Sequence, residues 1–529
     1  MSVSANFAAV AGLCLAVMFL LHILRRTPKR NDLPPGPPRI PFLGNIHQLP
    51  KVDQYLTFME WAAQYGDIVY AEILTQPIVI LSSAKAAFDL MEKRGARYSN
   101  KPRFVYFVEL VGWTGNLGFV QYNETWRRMR KWYQRAFIAR SSADSYHPAQ
   151  YRQVRRLLVD LLENPVEFEH QLKRYSAGIV LEIGYGHTVT SLDDDHFIKV
   201  TEDGLRECLA GSGAGVASVD FLPILRYLPA WLPGMHFKYS AAKARKAIED
   251  MEDMPYRTVK NDMANDRDCE ASFTTDLIEE CSRKGTLTAE DERDIKGAAG
   301  TLYAAGTDTS LTSMLVFILV MVQYPEVLKK AQLELTCVVG DSRLPDFRDR
   351  ASLPYLECII REVYRWCPAI TACNNWQNLS IPCSACGAED DVYGTYYIPK
   401  GSMIMANLWA IFRDPEMYPE PDVFKPERFL TIDADEDFKL KDPKKMMFGF
   451  GRSRICPGRY FADDNVWLAA ACIIATLDIG KARNDHGQEI TPAPRFISGT
   501  IMHPEPFVCD IRPRSEKSRQ VILDSSTEN

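Results

Sequence analysis

The sequence predicts a mainly α-helical fold with small β-sheets, an α+β arrangement, in one large domain. Apolar residues recur at helical spacing along most of the 529-residue chain, whereas strand-like runs are few and short. Strands and helices do not alternate regularly, which argues against a parallel α/β sheet. With 46% hydrophobic and 25% charged residues, the composition is that of a globular protein with material for a large core.

The helical pattern is clearest in the body of the chain. Helices are predicted over residues 151–163, 171–183, 241–263, 290–324, 325–339 and 354–366. Strands are predicted over residues 68–73, 78–81, 394–398 and 402–407. We therefore expect the helices to form the core and the strands to form small peripheral sheets.

The N-terminal segment predicts a membrane anchor. Residues 7–24 are almost wholly apolar, which is about the length that crosses a bilayer. Four basic residues follow between positions 25 and 30, so the positive-inside rule places the rest of the chain in the cytosol. A cleavable signal peptide is the alternative, but such peptides carry basic residues before the apolar run, and none precedes Phe7. We expect residues 1–31 to be an uncleaved single-pass anchor with a basic flank.

The remaining domain boundaries follow from composition. Residues 33–45, "LPPGPPRIPFLGN", contain too many prolines for a helix and are expected to be a stiff spacer between membrane and globular body. No second linker or repeat follows before a polar stretch near the C-terminus. The prediction is one domain over residues 32–513 and a polar tail over residues 514–529.

Charge and cysteine content exclude two broad classes. The net charge of -6 provides no basic field for nucleic acid. The 13 cysteines are scattered, mostly singly in apolar runs, so we expect reduced thiols rather than a disulfide framework. Cys383 and Cys386 form a C-x-x-C pair that suits a redox site or half of a zinc site, but no second pair at zinc spacing follows.

The stretch "FGFGRSRICPGRYFADD", residues 448–464, surrounds Cys456 with glycine and arginine. A cysteine that binds iron must be a thiolate, which is stabilised by hydrogen-bond donors and nearby positive charge. Glycines allow backbone amides to approach the sulfur, and Pro457 suits the first turn of a helix, whose N-terminus favours negative charge. The alternative is a glycine-rich turn that carries a core cysteine.

The stretch "AAGTDTS", residues 304–310, interrupts a long apolar helical run. Gly306 weakens a helix, and a buried Asp308 must be paired or hydrated. Such a break commonly opens a groove beside the helix, where Thr309 and Asp308 would hold a small ligand and relay protons. The alternative is a helix that exposes a polar turn.

Two further residue pairs are weak evidence for a function on their own and gain weight only together with the other motifs. Glu362 and Arg365 share a helical face at i, i+3 spacing, and Arg428 follows in "FKPERF". Trp126 and Arg130 share a helical face in "ETWRRMRKW", where an indole N–H and a guanidinium suit an anionic carboxylate. A solvated basic helix explains the second pair equally well.

Taken together and in this order, these features resemble the cytochrome P-450 monooxygenases. The resemblance rests on five motifs and extends over residues 33–513. Stretches such as "IPKGSMIMANLWAIFRDPEMYPEPDVFKPERF" are similar to the fungal microsomal branch used in secondary metabolism. The resemblance implies the cytochrome P-450 fold and heme, iron protoporphyrin IX, as cofactor.

The resemblance also assigns roles to residues. Cys456 would be the metal ligand, the proximal thiolate of the heme iron. The cofactor-binding residues would be Trp126, Arg130, Phe448, Arg454, Cys456 and Gly458. Thr309 and Asp308 would be catalytic, positioning dioxygen and delivering protons. Glu362, Arg365 and Arg428 would form a structural triad.

The activity that the resemblance implies is hydroxylation or oxidation of a lipophilic small molecule, with a terpenoid preferred over aromatic, indolic or polyketide scaffolds. Electrons would come from NADPH through a separate NADPH-cytochrome reductase, with cytochrome b5 as a further donor, because the chain has no flavin- or dinucleotide-binding domain. The location would be the endoplasmic reticulum membrane, with the catalytic domain in the cytosol. The alternatives are a heme-thiolate isomerase or dehydratase that needs no reductant, and a non-catalytic heme binder.

Two departures from the family pattern stand out. Counting back from Cys456, Phe448 and Gly451 each lie one residue too far away, so the loop carries an extra residue, most simply Ser453. The insertion would form a bulge or shift the phenyl ring away from the sulfur. The segment after Pro368 is also longer than usual, which puts its contacts to substrate and cofactor in doubt.

Overall fold

The computed structural model describes residues 32–527 except residues 51, 75, 139–143, 194, 211–213, 266–269, 284, 372–384, 431–437, 452–453 and 500. The expected anchor over residues 1–31, the C-x-x-C partner Cys383, most of the long segment after Pro368 and the extra residue Ser453 lie outside the described residues.

Helices dominate the described chain. In chain order they are α1 (Gln54–Tyr65), α2 (Ala84–Ala87), α3 (Glu124–Tyr133), α4 (His147–Glu163), α5 (Phe168–Tyr185), α6 (His196–Ala210), α7 (Ala214–Phe221), α8 (Phe237–Ala264), α9 (Phe273–Ser282), α10 (Ala289–Gln323), α11 (Pro325–Val338), α12 (Pro354–Trp366), α13 (Leu408–Ile411), α14 (Phe438–Lys441), α15 (Lys444–Met447), α16 (Arg459–Thr476) and α17 (Glu516–Thr527). The six helices predicted from apolar spacing are confirmed, with ends that differ from the predictions by at most a few residues.

The strands are short and form small sheets, as predicted. They are β1 (Ile68–Ile73), β2 (Gln76–Leu81), β3 (Ala385–Cys386), β4 (Asp391–Tyr393), β5 (Tyr396–Ile398), β6 (Met403–Ala406), β7 (Leu477–Lys481), β8 (Phe496–Ile497), β9 (His503–Pro504) and β10 (Cys509–Pro513). One sheet has the order β1-β2-β6-β3, with β2 and β6 parallel and the other pairs antiparallel. The remaining strands pair as hairpin-like couples, β4 with β5, β7 with β10 and β8 with β9.

Helix α10 runs through the centre of the core. Thr288 caps its start, because its hydroxyl accepts from the Asp291 amide at 3.1 Å while the Asp291 carboxylate accepts from the Thr288 amide at 3.1 Å. The helix packs against α5, α8, α12 and α16. Within the described part of the chain it alone is long and apolar enough to cross a membrane, but 78% of its apolar window is buried inside the protein. Its apolar length therefore reflects its place in the core.

The segment after Pro513, expected as a polar tail, folds into α17. This helix packs against α4 and α16, and Ile522 is fully buried there. One buried isoleucine in a polar sequence is too weak a pattern to predict a helix, which is why the sequence did not reveal it.

The expected triad is confirmed and ties α12 to the chain that leads to the cysteine loop. The Arg365 guanidinium donates to both carboxylate oxygens of Glu362, at 2.7 and 2.8 Å, and both side chains are fully buried. Arg428 donates to Glu362 at 3.1 Å. Arg365 also donates to the Phe412 carbonyl at 2.8 Å. A buried charge is tolerated only when paired in this way, so the triad fixes the register of the segments that it joins.

Candidate active site around Cys456

The chain closes residues 448–458, the cysteine loop, with backbone hydrogen bonds. The Cys456 amide donates to the Phe448 carbonyl at 2.8 Å, and the Ile455 amide donates to the Gly451 carbonyl at 3.0 Å. Gly451 has φ +77°, and a Cβ at this position would lie 2.6 Å from the Met91 carbonyl oxygen. Glycine is therefore required at position 451 by both conformation and space.

Burial opposes ionisation of the Cys456 thiol, and nearby donors and cations offset part of this effect. Burial raises the pKa of Cys456, while the Gly458 amide and the guanidinium groups of Arg130 and Arg459 lower it. Gly458 immediately precedes α16, so the thiol also lies at a helix N-terminus. A cation bound to the sulfur would complete the stabilisation.

Two arginines at the loop, the buried Arg130 and the half-buried Arg454, have no acidic partner among the described residues. Arg130 donates from Nη1 to the Ile455 carbonyl at 2.7 Å, and its Nε is buried with no hydrogen-bond partner. Arg454 donates to the carbonyls of Ser99 and Val120, at 2.7 and 3.0 Å. Among the residues that the structure describes, neither arginine contacts a carboxylate.

Burial and a neighbouring cation disfavour the positive charge of both arginines. Burial lowers the pKa of each to about 10, and each has a cationic neighbour, Arg459 for Arg130 and Arg130 for Arg454. The Arg454 guanidinium carbon lies 4.8 Å from the centre of the Trp126 ring, so the indole covers one face of the cation. Two unneutralised guanidiniums next to a thiol fit a ligand that carries carboxylates and a thiolate-binding metal.

A cluster of ion pairs joins the two ends of the cysteine loop; we call it the loop clamp. Lys444 of α15 precedes the loop, and its ammonium lies 2.8 Å from Asp463 of α16, which follows the loop. Lys444 also contacts Glu357 of α12. Arg350 binds Asp463 at 2.5 Å and Asp464 at 2.6 Å.

The clamp strongly perturbs the titration of its members. Burial alone would raise the pKa of Asp463, but Lys444 and Arg350 lower it to about 2. Burial and the adjacent Asp463 raise the pKa of Asp464 to about 6, although Arg350 opposes this. Tyr364 of α12 donates to Asp463 at 3.1 Å, and its ring packs edge-on against Phe448 at 5.9 Å between centroids. Tyr364 thus links Asp463 of the loop clamp to Phe448, the first residue of the cysteine loop.

The second predicted motif, residues 304–310, lies within α10, and we call residues 305–312, about two turns of this helix, the distal turn. The helix is continuous through Gly306, so the expected break does not end it. Ala305 is nevertheless exposed within this otherwise mostly buried helix. The Thr309 hydroxyl donates to the Ala305 carbonyl at 2.8 Å. The distal turn therefore presents an open helical face with a hydroxyl on it.

Asp308 is half-buried, and burial raises its pKa, while His503 and Lys173 lower it and Glu202 raises it. Burial lowers the pKa of His503, and Asp308 opposes that shift. The Thr312 hydroxyl and His503 Nδ1 are hydrogen-bonded at 2.9 Å. Asp308 thus belongs to a group of titratable side chains that comes from separate parts of the chain.

Helix α3 connects the two parts of the site. Arg130 on α3 contacts the cysteine loop, whereas Arg128 on the same helix pairs with Asp291 of α10 at 3.1 Å and also with Asp294. The Tyr133 hydroxyl at the end of α3 donates to the Ala298 carbonyl of α10 at 2.6 Å. The cysteine loop and α10 are therefore held on one common helix.

Aromatic side chains line the segment between α2 and α3. The Phe107 and Phe119 rings are stacked at 5.4 Å, and Phe104 and Trp113 meet Phe119 edge-on at 5.2 and 5.5 Å. Ala304, next to the distal turn, packs against this cluster. A cavity of about 370 Å³ borders Phe104 and Phe119 together with charged groups at its rim. Arg103 and Glu109 pair with each other at 2.6 Å, and the lining also includes Arg293 and the polar side chains of Thr114, Gln121, Asn123 and Thr125, so this cavity is mixed in polarity.

The structure brings most of the predicted site residues together. Arg130 contacts the cysteine loop, Arg454 lies against Trp126, and Thr309 and Asp308 share the distal turn. Phe448 contributes its carbonyl to the loop and its ring to Tyr364, and Gly458 contributes its amide near the thiol.

Sequence reasoning missed the loop clamp and the groups around Asp308. Their members are charged residues on separate elements, such as Lys444 and Asp463, with no common motif. The one local signal was Thr312, which follows Asp308 by one helical turn and so shares its face.

Comparison with known proteins agrees with this geometry. The family model for cytochrome P450 matches residues 34–509. The chain is 48% identical over 521 residues to cytochrome P450 monooxygenase 176 of Postia placenta, a match that covers 98% of each chain. It is 41% identical over 515 residues to monooxygenase 136 of the same fungus, covering 97% of this chain and 95% of that one. It is 35% identical over 517 residues to monooxygenase claR of Ampulloclitocybe clavipes, covering 98% and 93%.

Proposed function

The chain belongs to the cytochrome P450 family and is a heme-dependent monooxygenase, and on that basis we propose that it hydroxylates or otherwise oxidises a lipophilic small molecule in fungal secondary metabolism. A terpenoid is the first candidate scaffold, and an aromatic or polyketide scaffold is the second. Electrons reach it from NADPH through a separate reductase.

Cys456 is the proposed iron ligand. The Gly458 amide, the start of α16 and two guanidiniums favour the thiolate at this sulfur. Arg130 and Arg454 are the proposed partners of the two heme carboxylates, because neither cation pairs with an acidic side chain among the described residues. Trp126 covers Arg454 and fixes its plane. Heme with a thiolate ligand supplies the oxygen-activating chemistry.

Thr309 and Asp308 are the proposed catalytic residues. The Thr309 hydroxyl already donates to a helix carbonyl, so its oxygen is free to accept a hydrogen bond on the open helical face. Asp308 is a buried acid whose raised pKa allows it to hold a proton nearer to neutral pH than an ordinary carboxylic acid. Together the two residues can hold and pass protons at this face while the surrounding core excludes water.

One observation carries the substrate class: the stacked Phe107–Phe119 pair and its edge-on neighbours belong to the same apolar cluster as Ala304, which lies directly beside the distal turn. Stacked rings offer a broad apolar surface and no charge. Such a surface suits a hydrocarbon-rich or planar substrate and penalises a charged one.

We also propose that the protein is anchored in the endoplasmic reticulum membrane. Tyr227 and Trp231, in the segment after α7, are 70% and 75% exposed. Phe221, at the end of α7, packs against the same apolar cluster as Ile46 and Leu49, which lie close to the start of the described chain. The apolar residues 7–24 are the proposed anchor, and the exposed aromatic side chains support a membrane-facing surface.

The test is reconstitution of purified holoenzyme with NADPH-cytochrome reductase and a panel of terpenoid, planar aromatic and ionised analogues. We expect the neutral compounds to perturb the heme spectrum. They should gain one oxygen atom from labelled O2 only when NADPH and reductase are both present. Product without NADPH would support the isomerase alternative instead. Turnover of the ionised analogues alone would contradict the proposed substrate class.

A further inference from the structure

His503 is fixed against the helical turn that carries Asp308. The residue begins β9, and its Nδ1 is 2.9 Å from the hydroxyl oxygen of Thr312, a fully buried residue. Asp308 lies four positions before Thr312 on α10, so their Cβ atoms lie about 5–6 Å apart on one face. The hydrogen bond therefore holds the imidazole at the face of α10 that carries Asp308.

The other charged groups near Asp308 largely compensate one another. Lys173 of α5 and Glu202 of α6 form an ion pair at 2.6 Å, and they shift the pKa of Asp308 in opposite directions. Tyr303, earlier on α10, is buried, and its raised pKa keeps its phenol neutral. Within the described chain no carboxylate, that of Asp308 included, lies within 4 Å of the His503 ring nitrogens, so the imidazole and the Asp308 carboxyl influence each other across a gap and not by direct contact.

The protonation equilibria of the two residues are linked. Burial raises the pKa of Asp308 and lowers the pKa of His503, which brings the two titrations closer together. Each group opposes the shift of the other, since a charged imidazole stabilises the carboxylate and a carboxylate stabilises the imidazolium. The charge of each group therefore affects the protonation of the other.

We propose that His503 is a positioning residue of the active site, whose charge sets the protonation of Asp308. The hydrogen bond to Thr312 holds the ring in place for this purpose. The inference rests on the proposed role of Asp308 in proton delivery and adds a partner from outside the helix.

The first test measures the linkage without turnover. The holoenzyme, labelled with ¹³C in the histidine rings, is reduced and bound to CO so that the iron is diamagnetic, and the imidazole signals are titrated by NMR. The His503→Gln variant assigns one signal among the nine histidines. In Asp308→Asn we expect the His503 midpoint to fall by roughly half a pH unit or more, because the opposing carboxylate is gone. An unchanged midpoint would overturn the proposal.

The second test measures the pH dependence of product formed per NADPH consumed. His503→Gln can keep a hydrogen bond to Thr312 but cannot become charged, whereas Thr312→Val keeps the imidazole and removes the bond. We expect His503→Gln to shift the profile by roughly half a pH unit or more and Thr312→Val to shift it less. A wild-type profile in His503→Gln would assign the residue a purely structural role.

His147→Gln is the matched control, since His147 also has an aspartate nearby, Asp144 at 3.7 Å, but lies on α4 away from the distal turn.

The outcomes separate the two proposals. If Asp308→Asn yields product as the wild type does, the proposed function of Asp308 fails. If only Asp308→Asn is impaired, the inference about His503 fails. If His503→Gln does not load heme, the Asp308→Asn titration still decides, with the Thr312→Val spectrum assigning the His503 signal.

Discussion

The cysteine loop and the distal turn differ in how firmly the chain holds them. The cysteine loop is closed by backbone hydrogen bonds, capped by Arg130 and joined at both ends by the loop clamp. The distal turn keeps helical backbone bonds, but its functional groups have few direct partners. Thr309 bonds only to its own helix, and Asp308 interacts with its neighbours across space.

This difference fits the functions proposed for the cysteine loop and the distal turn. A metal ligand has to keep one position, and paired buried charges supply that rigidity. A proton-transfer site needs groups whose charge can change, and unpaired carboxyl and imidazole groups supply that. Substitutions on the cysteine side should therefore affect stability and heme retention, and substitutions on the distal side should affect proton supply.

The largest stability effect is expected from Lys444→Met. Removing this ammonium, which is 14% exposed, leaves Asp463 and Glu357 short of positive charge. We expect the free energy of unfolding to fall by about 3–5 kcal/mol, measured by denaturant titration of the holoenzyme. The control is Lys330→Met, whose ammonium is half exposed and pairs with Glu427 at 2.8 Å. It should cost about 1 kcal/mol or less, and equal losses in the two variants would contradict the account of the clamp.

Arg130→Ala should act mainly on heme retention. It removes a cation proposed to neutralise a heme carboxylate, and a hydrogen bond to a charged group contributes about 1.5–3 kcal/mol. Heme affinity should therefore fall by about tenfold to a hundredfold, measured by heme transfer to an acceptor protein. Arg127→Ala, on the same helix but 56% exposed and paired with Glu124, should retain heme as the wild type does. Normal retention in Arg130→Ala would remove this residue from the cofactor site.

Thr309→Val tests the distal side and should barely change stability. It removes one hydrogen bond, so the free energy of unfolding should change by about 1 kcal/mol or less. The product formed per NADPH should nevertheless fall by at least about tenfold, because the proton-passing hydroxyl is gone. Ser313→Ala is the control, since its hydroxyl donates to the Thr309 carbonyl at 3.2 Å one turn further on. A similar loss of product in both variants would point to a helix defect instead.

The smallest effect is a pH dependence of stability within the loop clamp. The pKa of Asp464 is raised to about 6 in the folded protein, so between about pH 4 and 6 the folded state keeps a proton that the unfolded state has lost. Its contribution to the free energy of unfolding should therefore decrease as pH rises through this window. Asp464→Asn should remove that decrease, seen as a smaller slope in unfolding titrations from pH 4 to 7. Parallel curves for the two proteins would show that Asp464 titrates normally.

Much of the fold could be predicted from the sequence because its signals are local. Apolar spacing located the long helices, and the motif around Cys456 located the site. The triad of Glu362, Arg365 and Arg428 could be predicted only through resemblance, since Arg428 is distant in sequence and its contact depends on the fold.

The remaining features depend on side chains that meet only in three dimensions. Lys444 and Asp463 come together because the cysteine loop folds back, and His503 reaches Asp308 because β9 packs on α10. Neither pairing has a spacing that a sequence pattern could reveal. The extra residue at Ser453 remains a prediction, since it lies outside the described residues.

The central claim is that Cys456 is the thiolate ligand of the heme iron. It is tested by reducing the wild type and Cys456→Ser under carbon monoxide and recording both absorption spectra, with Cys472→Ser, a buried cysteine outside the loop, as control. We expect a strongly red-shifted, thiolate-type Soret band in the wild type and in Cys472→Ser, and its loss in Cys456→Ser. A thiolate-type band that survives in Cys456→Ser, or no heme uptake by the wild type, would contradict it.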